Sequence, residues 1–191
     1  MRTFVAIDIP SPIRLKIADL VETLHPAITN IRWTKPEGLH ITLKFLGEVP
    51  PADVEEIKLK LASIHLATPL PVRICGAGFF PNARAPRVIW LGVNGGTELG
   101  ALAGQIEETL LPLGFAKEDR AFSAHLTLGR PREPGRLAAL QELLRRREPL
   151  DMGSFVANEF FLYESKPSPK GSLYLKIARF EIAPGGSNSR S

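Results

Sequence analysis

The sequence predicts an α+β fold, and three observations carry that reading. Short apolar or alternating segments, bounded by Pro and Gly, have the character of strands. Stretches between them carry apolar residues at helical spacing. Turn-rich links join several strands directly, which suits antiparallel hairpins better than the long crossovers of a parallel sheet. Neither G-x-x-x-x-G-K-[ST] nor G-x-G-x-x-G occurs in the 191 residues, so neither of those phosphate-cradling loops is present.

The elements follow in order. Thr3 to Ile9 reads as a first strand, closed by Pro10-Ser11-Pro12. Ile13, Ile17, Leu20, Val21 and Leu24 then fall on one helical face. Leu39 to Leu46 is a second strand ending at Gly47, and Ala52 to Ile64 a second helix with Val54, Ile57, Leu61 and Ile64 inward. Val72 to Phe80 and Arg87 to Val93 are strands joined by a turn from Pro81 to Pro86. Leu99 to Leu111 is a third helix. The second half repeats this grammar. Ala124 to Leu128 is a strand, Leu137 to Leu144 a helix behind Pro134-Gly135, and Phe155 to Tyr163 and Leu173 to Ile182 are strands around a turn at 166–172. The small polar tail, 184–191, is expected to be frayed, leaving 1–183 as one domain.

Apolar residues make up 44% and charged residues 23%, which excludes a disordered chain, a collagen and a coiled coil. No apolar run reaches the roughly 18–20 residues of a membrane span, and the first ten residues lack a signal peptide's h-region. The single cysteine, Cys75, excludes an internal disulfide and a thiolate metal cluster, and its apolar neighbourhood suggests a buried, inert thiol. A cytoplasmic, soluble protein is the expectation. A net charge of +4 permits a phosphate-bearing partner without requiring one. The densest basic cluster, Arg145-Arg146-Arg147, ends a predicted helix, where cations suit the dipole.

Two tetrads carry the chemistry: His40-Ile41-Thr42-Leu43 and His125-Leu126-Thr127-Leu128. Each sits in a predicted strand, so His and Thr share one face while the aliphatic pair points into a core. A given histidine has roughly a 5% chance of a threonine two places on, so two such matches among four histidines are a strong signal. His25 and His65 lie at helix ends without such a partner and are assigned no chemistry. Two His and two Thr make a poor zinc cage, and a nucleophile with one base would leave the duplication unexplained. Displacement at phosphorus fits better. It needs a base on one side and an acid on the other, and imidazole supplies both forms near pH 6–7. The threonine hydroxyls can donate to oxygens where charge builds.

The paired tetrads resemble the signature of the two-histidine (2H) phosphoesterase superfamily. Phe4 to Asp8, Trp33 to Val49, Phe80 to Val93, Phe122 to Arg130 and Phe160 to Lys166 are similar to its RNA 2′,3′-cyclic phosphodiesterase branch, also called 2′-5′ RNA ligases. The resemblance runs from residue 4 to about 182. It implies a bilobal α+β domain with pseudo-two-fold symmetry, mainly antiparallel sheet with helices outside and one tetrad per lobe at a central cleft. It also implies hydrolysis of a terminal 2′,3′-cyclic phosphate to a 2′-phosphomonoester without metal or cofactor. His40 would protonate the departing 3′ oxygen, His125 would activate water, and Thr42 and Thr127 would bind phosphate oxygens. Arg130 would face the phosphate or ribose. Spacing alone does not distinguish acid from base.

The expected partners are RNA with 2′,3′-cyclic phosphate ends, or cyclic nucleotides, acted on by a monomer with no membrane association. Arg84, Arg87 and Lys166 are weaker phosphate-tracking candidates, since charges at hairpin ends usually serve solubility. Phe45 could stack on a base, though an aromatic near a strand end is more often core. Lys166 and Lys170 fall where the family often differs. The alternatives are a ligase running the reverse reaction and a non-catalytic RNA- or nucleotide-binding module.

Overall fold

The computed structural model describes residues 1–133, 135, 137–169 and 171–183. The predicted frayed tail, Lys170 and the Pro134 that introduces the fourth helix lie outside the described residues. Among the described residues, nine strands are interspersed with four α-helices: β1 (Arg2–Asp8), α1 (Ser11–Leu24), β2 (Ile31–Trp33), β3 (His40–Glu48), α2 (Val54–Leu61), β4 (Leu70–Phe80), β5 (Val88–Asn94), α3 (Gly96–Leu110), β6 (His125–Pro131), α4 (Ala138–Arg145), β7 (Asp151–Ala157), β8 (Glu159–Ser168) and β9 (Gly171–Glu181).

The strands form one antiparallel sheet in the order β7-β4-β5-β6-β3-β1-β8-β9, with β2 added alongside β6. The two tetrad strands, β6 and β3, are therefore neighbours at its centre. The fold is α+β and bilobal. One lobe holds β3, β1, β8 and β9 and the other β6, β5, β4 and β7, so the first and last strands share a lobe.

Packing follows from the sequence pattern. Ile13, Ile17, Leu20 and Leu24 of α1, and Leu99, Leu102, Ala103, Ile106 and Leu110 of α3, lie at helical spacing and are buried. They join Val5, Ile7, Ile41, Leu43, Ile89, Leu91, Leu126 and Leu128 from one face of the sheet in the main core. The opposite face carries a small second cluster, Phe4, Ala6, Phe161 and Tyr163, with Tyr174 against it. Period-two alternation thus separates a helix-covered face from a face left for chemistry.

Three expectations are corrected. The segment from Phe155 to Tyr163, read as one strand, is two: β7 pairs with β4 in one lobe and β8 with β1 in the other, with Asn158 at the step. The turn read at 166–172 is shorter, because β8 and β9 stay paired out to Ser168 and Gly171, leaving Lys166 within a strand. Cys75 is half-buried rather than sealed in the core, because the β4 register slips between Ile74 and Ala77 against β5. The three-residue β2 is too short to leave a periodic signal.

Candidate active site

The tetrads fold as their alternation requires. Ile41, Leu43, Leu126 and Leu128 are buried, whereas His40, Thr42 and Thr127 are half-buried and His125 is exposed. β3 meets β6 at Ile41 and Leu126. In an antiparallel pair that contact sets Thr42 across from His125 and His40 across from Thr127. The four polar side chains therefore occupy one patch of the helix-free face, each histidine beside the other strand's threonine.

Each imidazole is held in the same way. His40 Nδ1 lies 2.8 Å from the Gly38 carbonyl oxygen, and His125 Nδ1 lies 2.9 Å from the Ser123 carbonyl oxygen. A carbonyl only accepts, so Nδ1 carries the proton in both rings and Nε2 is the working nitrogen. In both cases the acceptor belongs to the residue two places earlier, so the duplication extends beyond the tetrad.

The surroundings differ between the two. His40 packs against Phe4 at 4.7 Å between ring centroids and meets the edge of Tyr174 at 4.9 Å, with Tyr163 at 6.2 Å. Burial pushes the His40 pKa below its ordinary 6.5, and the nearby His125 adds to that. The Gly38 hydrogen bond and the Asp8 carboxylate pull the other way. Asp8 pairs with His40 across β1 and β3, and its carboxylate is bound by Arg14 and by Lys176 Nζ at 2.5 Å. Burial raises the Tyr163 phenol, which stays protonated. Beside Thr127 stands Trp90, half-buried, whose ring lies so close over Gly78 that a Cβ there would come within 2.1 Å of Cζ2.

Arg130 lies five residues beyond His125, an odd number, so strict alternation would put it on the core face. A bulge corrects this. Trp90 pairs with Thr127 and Ile89 with Gly129, so Leu128 is the extra residue. Gly129 therefore faces the core with Ile89, and Arg130 returns to the face of His125 and Thr127. β3 repeats the device. Ala6 pairs with Thr42 and Val5 with Lys44, making Leu43 the extra residue and turning Phe45 to the His40 face. Phe45 is 60% exposed, against the expectation that it is core.

The weaker candidates fare unevenly. Arg84 and Arg87 are exposed at the hairpin between β4 and β5, and Lys166 is paired with Glu164 at 3.4 Å. His25 and His65 stand apart, in a 3₁₀ turn after α1 and beyond the end of α2. Sequence reasoning missed Asp8, Phe4, Tyr163, Tyr174 and Trp90 as neighbours of the tetrads. Alternation of Phe4, Ala6 and Asp8 along β1 was the one signal that could have placed the first two on a common face. Among the described residues no group of three or more His, Cys, Asp or Glu is placed to hold a metal ion, and no helix is long and apolar enough to cross a membrane.

Comparison with known proteins gives a consistent picture. A family model described as LigT-like phosphoesterase matches twice, over residues 7–90 and 91–174, each match containing one tetrad. The chain is 36% identical over 181 residues to the RNA 2′,3′-cyclic phosphodiesterase of Archaeoglobus fulgidus, covering 95% of this chain and 100% of that protein. A solved Thermus thermophilus protein superposes with a TM-score of 0.78 at 26% identity, over 95% of this chain and 98% of its own. Escherichia coli LigT in complex with 3′-AMP gives 0.76 at 26% identity, over 96% and 98%.

Proposed function

The chain belongs to the LigT-like phosphoesterase family, and from that premise we propose that it hydrolyses the terminal 2′,3′-cyclic phosphate of RNA to a 2′-phosphomonoester, with His40 and His125 as general acid and base and without a metal. The observation that carries this reading is the pair of Nδ1–carbonyl bonds, which aim two Nε2 atoms from adjacent strands.

The cyclic phosphate seats over the patch with its non-bridging oxygens against the Thr42 and Thr127 hydroxyls. Neutral His125 takes a proton from water through Nε2 as the water oxygen bonds to phosphorus. The P–O3′ bond breaks on the far side, and His40 delivers its Nε2 proton to O3′, leaving the phosphate on O2′. Two features support this division of labour. Burial lowers the His40 pKa, and the Asp8 carboxylate opposite it works against that lowering, toward the imidazolium that a donor needs; the phosphate's own charge adds to the Asp8 effect when substrate binds. His125 is exposed, where water can reach it. Arg130 lies on the same face, beyond Thr127 toward the terminal ribose.

Both histidines come from one chain, which supports a monomer as the working unit, and the single continuous sheet supports residues 1–183 as one domain. We place it in the cytoplasm on the strength of the lone, half-buried Cys75 thiol.

The test is incubation with a short RNA ending in a 2′,3′-cyclic phosphate, with and without excess chelator. A 2′-phosphate product formed at the same rate in both is expected. Absence of hydrolysis, or activity lost to chelator and restored by zinc, overturns the reading.

A further inference from the structure

Arg32 and Arg130 are direct partners across β2 and β6, flanked by Ile31 opposite Pro131 and Trp33 opposite Gly129. Ile31 is buried and Trp33 packs against the main core, so Arg32, between them, points to the helix-free face. The Leu128 bulge puts Arg130 on that face too. Both arginines are exposed, and among the described residues neither guanidinium has a hydrogen bond or carboxylate partner. Like charges directly opposite on paired strands oppose folding, with Cβ atoms only about 5 Å apart. An anion between the two forks converts that repulsion into two charge-assisted contacts, and paired guanidinium forks suit phosphate geometry. Along β6 the pair sits about 7–10 Å beyond Thr127. That is within one nucleotide of the place where the cyclic phosphate would rest.

We propose that Arg32 and Arg130 form a second phosphate site, which holds the phosphodiester on the 5′ side of the terminal nucleotide and makes an RNA strand a better substrate than a cyclic mononucleotide. The inference rests on the phosphodiesterase reading above and deepens it by naming the substrate class.

The experiment compares kcat/KM for a 2′,3′-cyclic mononucleotide, for a dinucleotide with the same cyclic end, and for that dinucleotide with its internal phosphate replaced by a neutral methylphosphonate. The wild-type protein is expected to prefer the charged dinucleotide, mainly through KM, and to lose about tenfold of that preference with the methylphosphonate. Arg32→Gln is expected to cut the same preference about tenfold and to flatten the dependence of log KM on log salt by about 0.7, the contribution of one single-strand phosphate contact. Arg32→Lys, which keeps the charge but not the fork, restores part of it. Equal wild-type rates on the charged and neutral dinucleotides, or an unchanged preference in Arg32→Gln, overturn the second site alone. Failure of the wild-type protein to hydrolyse any of the three overturns the phosphodiesterase reading instead.

Discussion

Asp8 stands directly across the β1–β3 pair from His40, whereas the matching place beside His125, across β5 and β6, is held by Gly92. Beyond their unequal burial and aromatic packing, the two histidine environments thus differ by one negative charge. Asp8 raises the His40 pKa against the larger lowering effect of burial. Asp8→Asn removes that support and leaves the Lys176 and Arg14 cations nearby, so His40 loses its proton at lower pH. With His40 as the donor, the alkaline limb of the kcat/KM profile is expected to move to lower pH while the acidic limb stays in place. A pH–rate profile checks this, and movement of the acidic limb instead would exchange the two roles.

His40→Ala and His125→Ala are each expected to lower kcat about 10²–10⁴-fold, the usual contribution of a positioned acid or base. The double variant should fall well short of the product of the two losses, because the groups act on one displacement. Single-turnover hydrolysis of a cyclic-ended RNA measures both. A near-native rate in either variant would sink the paired mechanism.

Legibility in the sequence followed physical range. Alternation within His40–Leu43 and His125–Leu128 depends only on the pleat of one strand, so the buried and open sides of both tetrads could be read directly. A bulge is a property of two strands. Nothing local marks Leu43 or Leu128 as the extra residue, and so the return of Phe45 and Arg130 to the active face was beyond a single-strand pattern. The same limit hid the break at Asn158, where neighbouring residues look alike as strand formers but pair with different lobes. Asp8 could be placed on a strand, but its position across from His40 required the register.

His40 also ties stability to pH. Burial holds its folded pKa below the unfolded 6.5, so the folded state resists protonation. The contribution is fully present above about 6.5 and is lost as pH falls toward the lower folded value. Unfolding midpoints measured from pH 7.5 down to 5 should therefore fall more steeply for the wild-type protein than for His40→Gln, which has no group to titrate. Parallel curves for the two proteins would contradict a buried, neutral His40.

Lys44 follows the Leu43 bulge by one residue and points into the main core instead of toward the substrate. Only 1% of its side chain is exposed, and Nζ donates to Glu107 Oε1 at 3.0 Å and to the Ala116 carbonyl at 2.8 Å. Glu107 Oε1 also accepts from the Glu118 amide at 3.0 Å. Burial pushes the Glu107 carboxyl up, but the Glu118 amide and Lys44 together hold it below its ordinary range. One lysine from the His40 strand thus clamps the 116–118 segment that leads to His125. Lys44→Ala removes the cation and leaves the carboxylate to face the cavity. The expected cost is about 2–3 kcal/mol, under the 3–5 kcal/mol typical of a broken buried pair because Glu107 keeps 19% of its side chain exposed. Lys44→Met fills the space with an apolar chain and, combined with Glu107→Gln, should recover much of that loss. Urea denaturation of the single and double variants measures the coupling. A double variant no more stable than the sum of its parts would mean the clamp contributes packing and not charge.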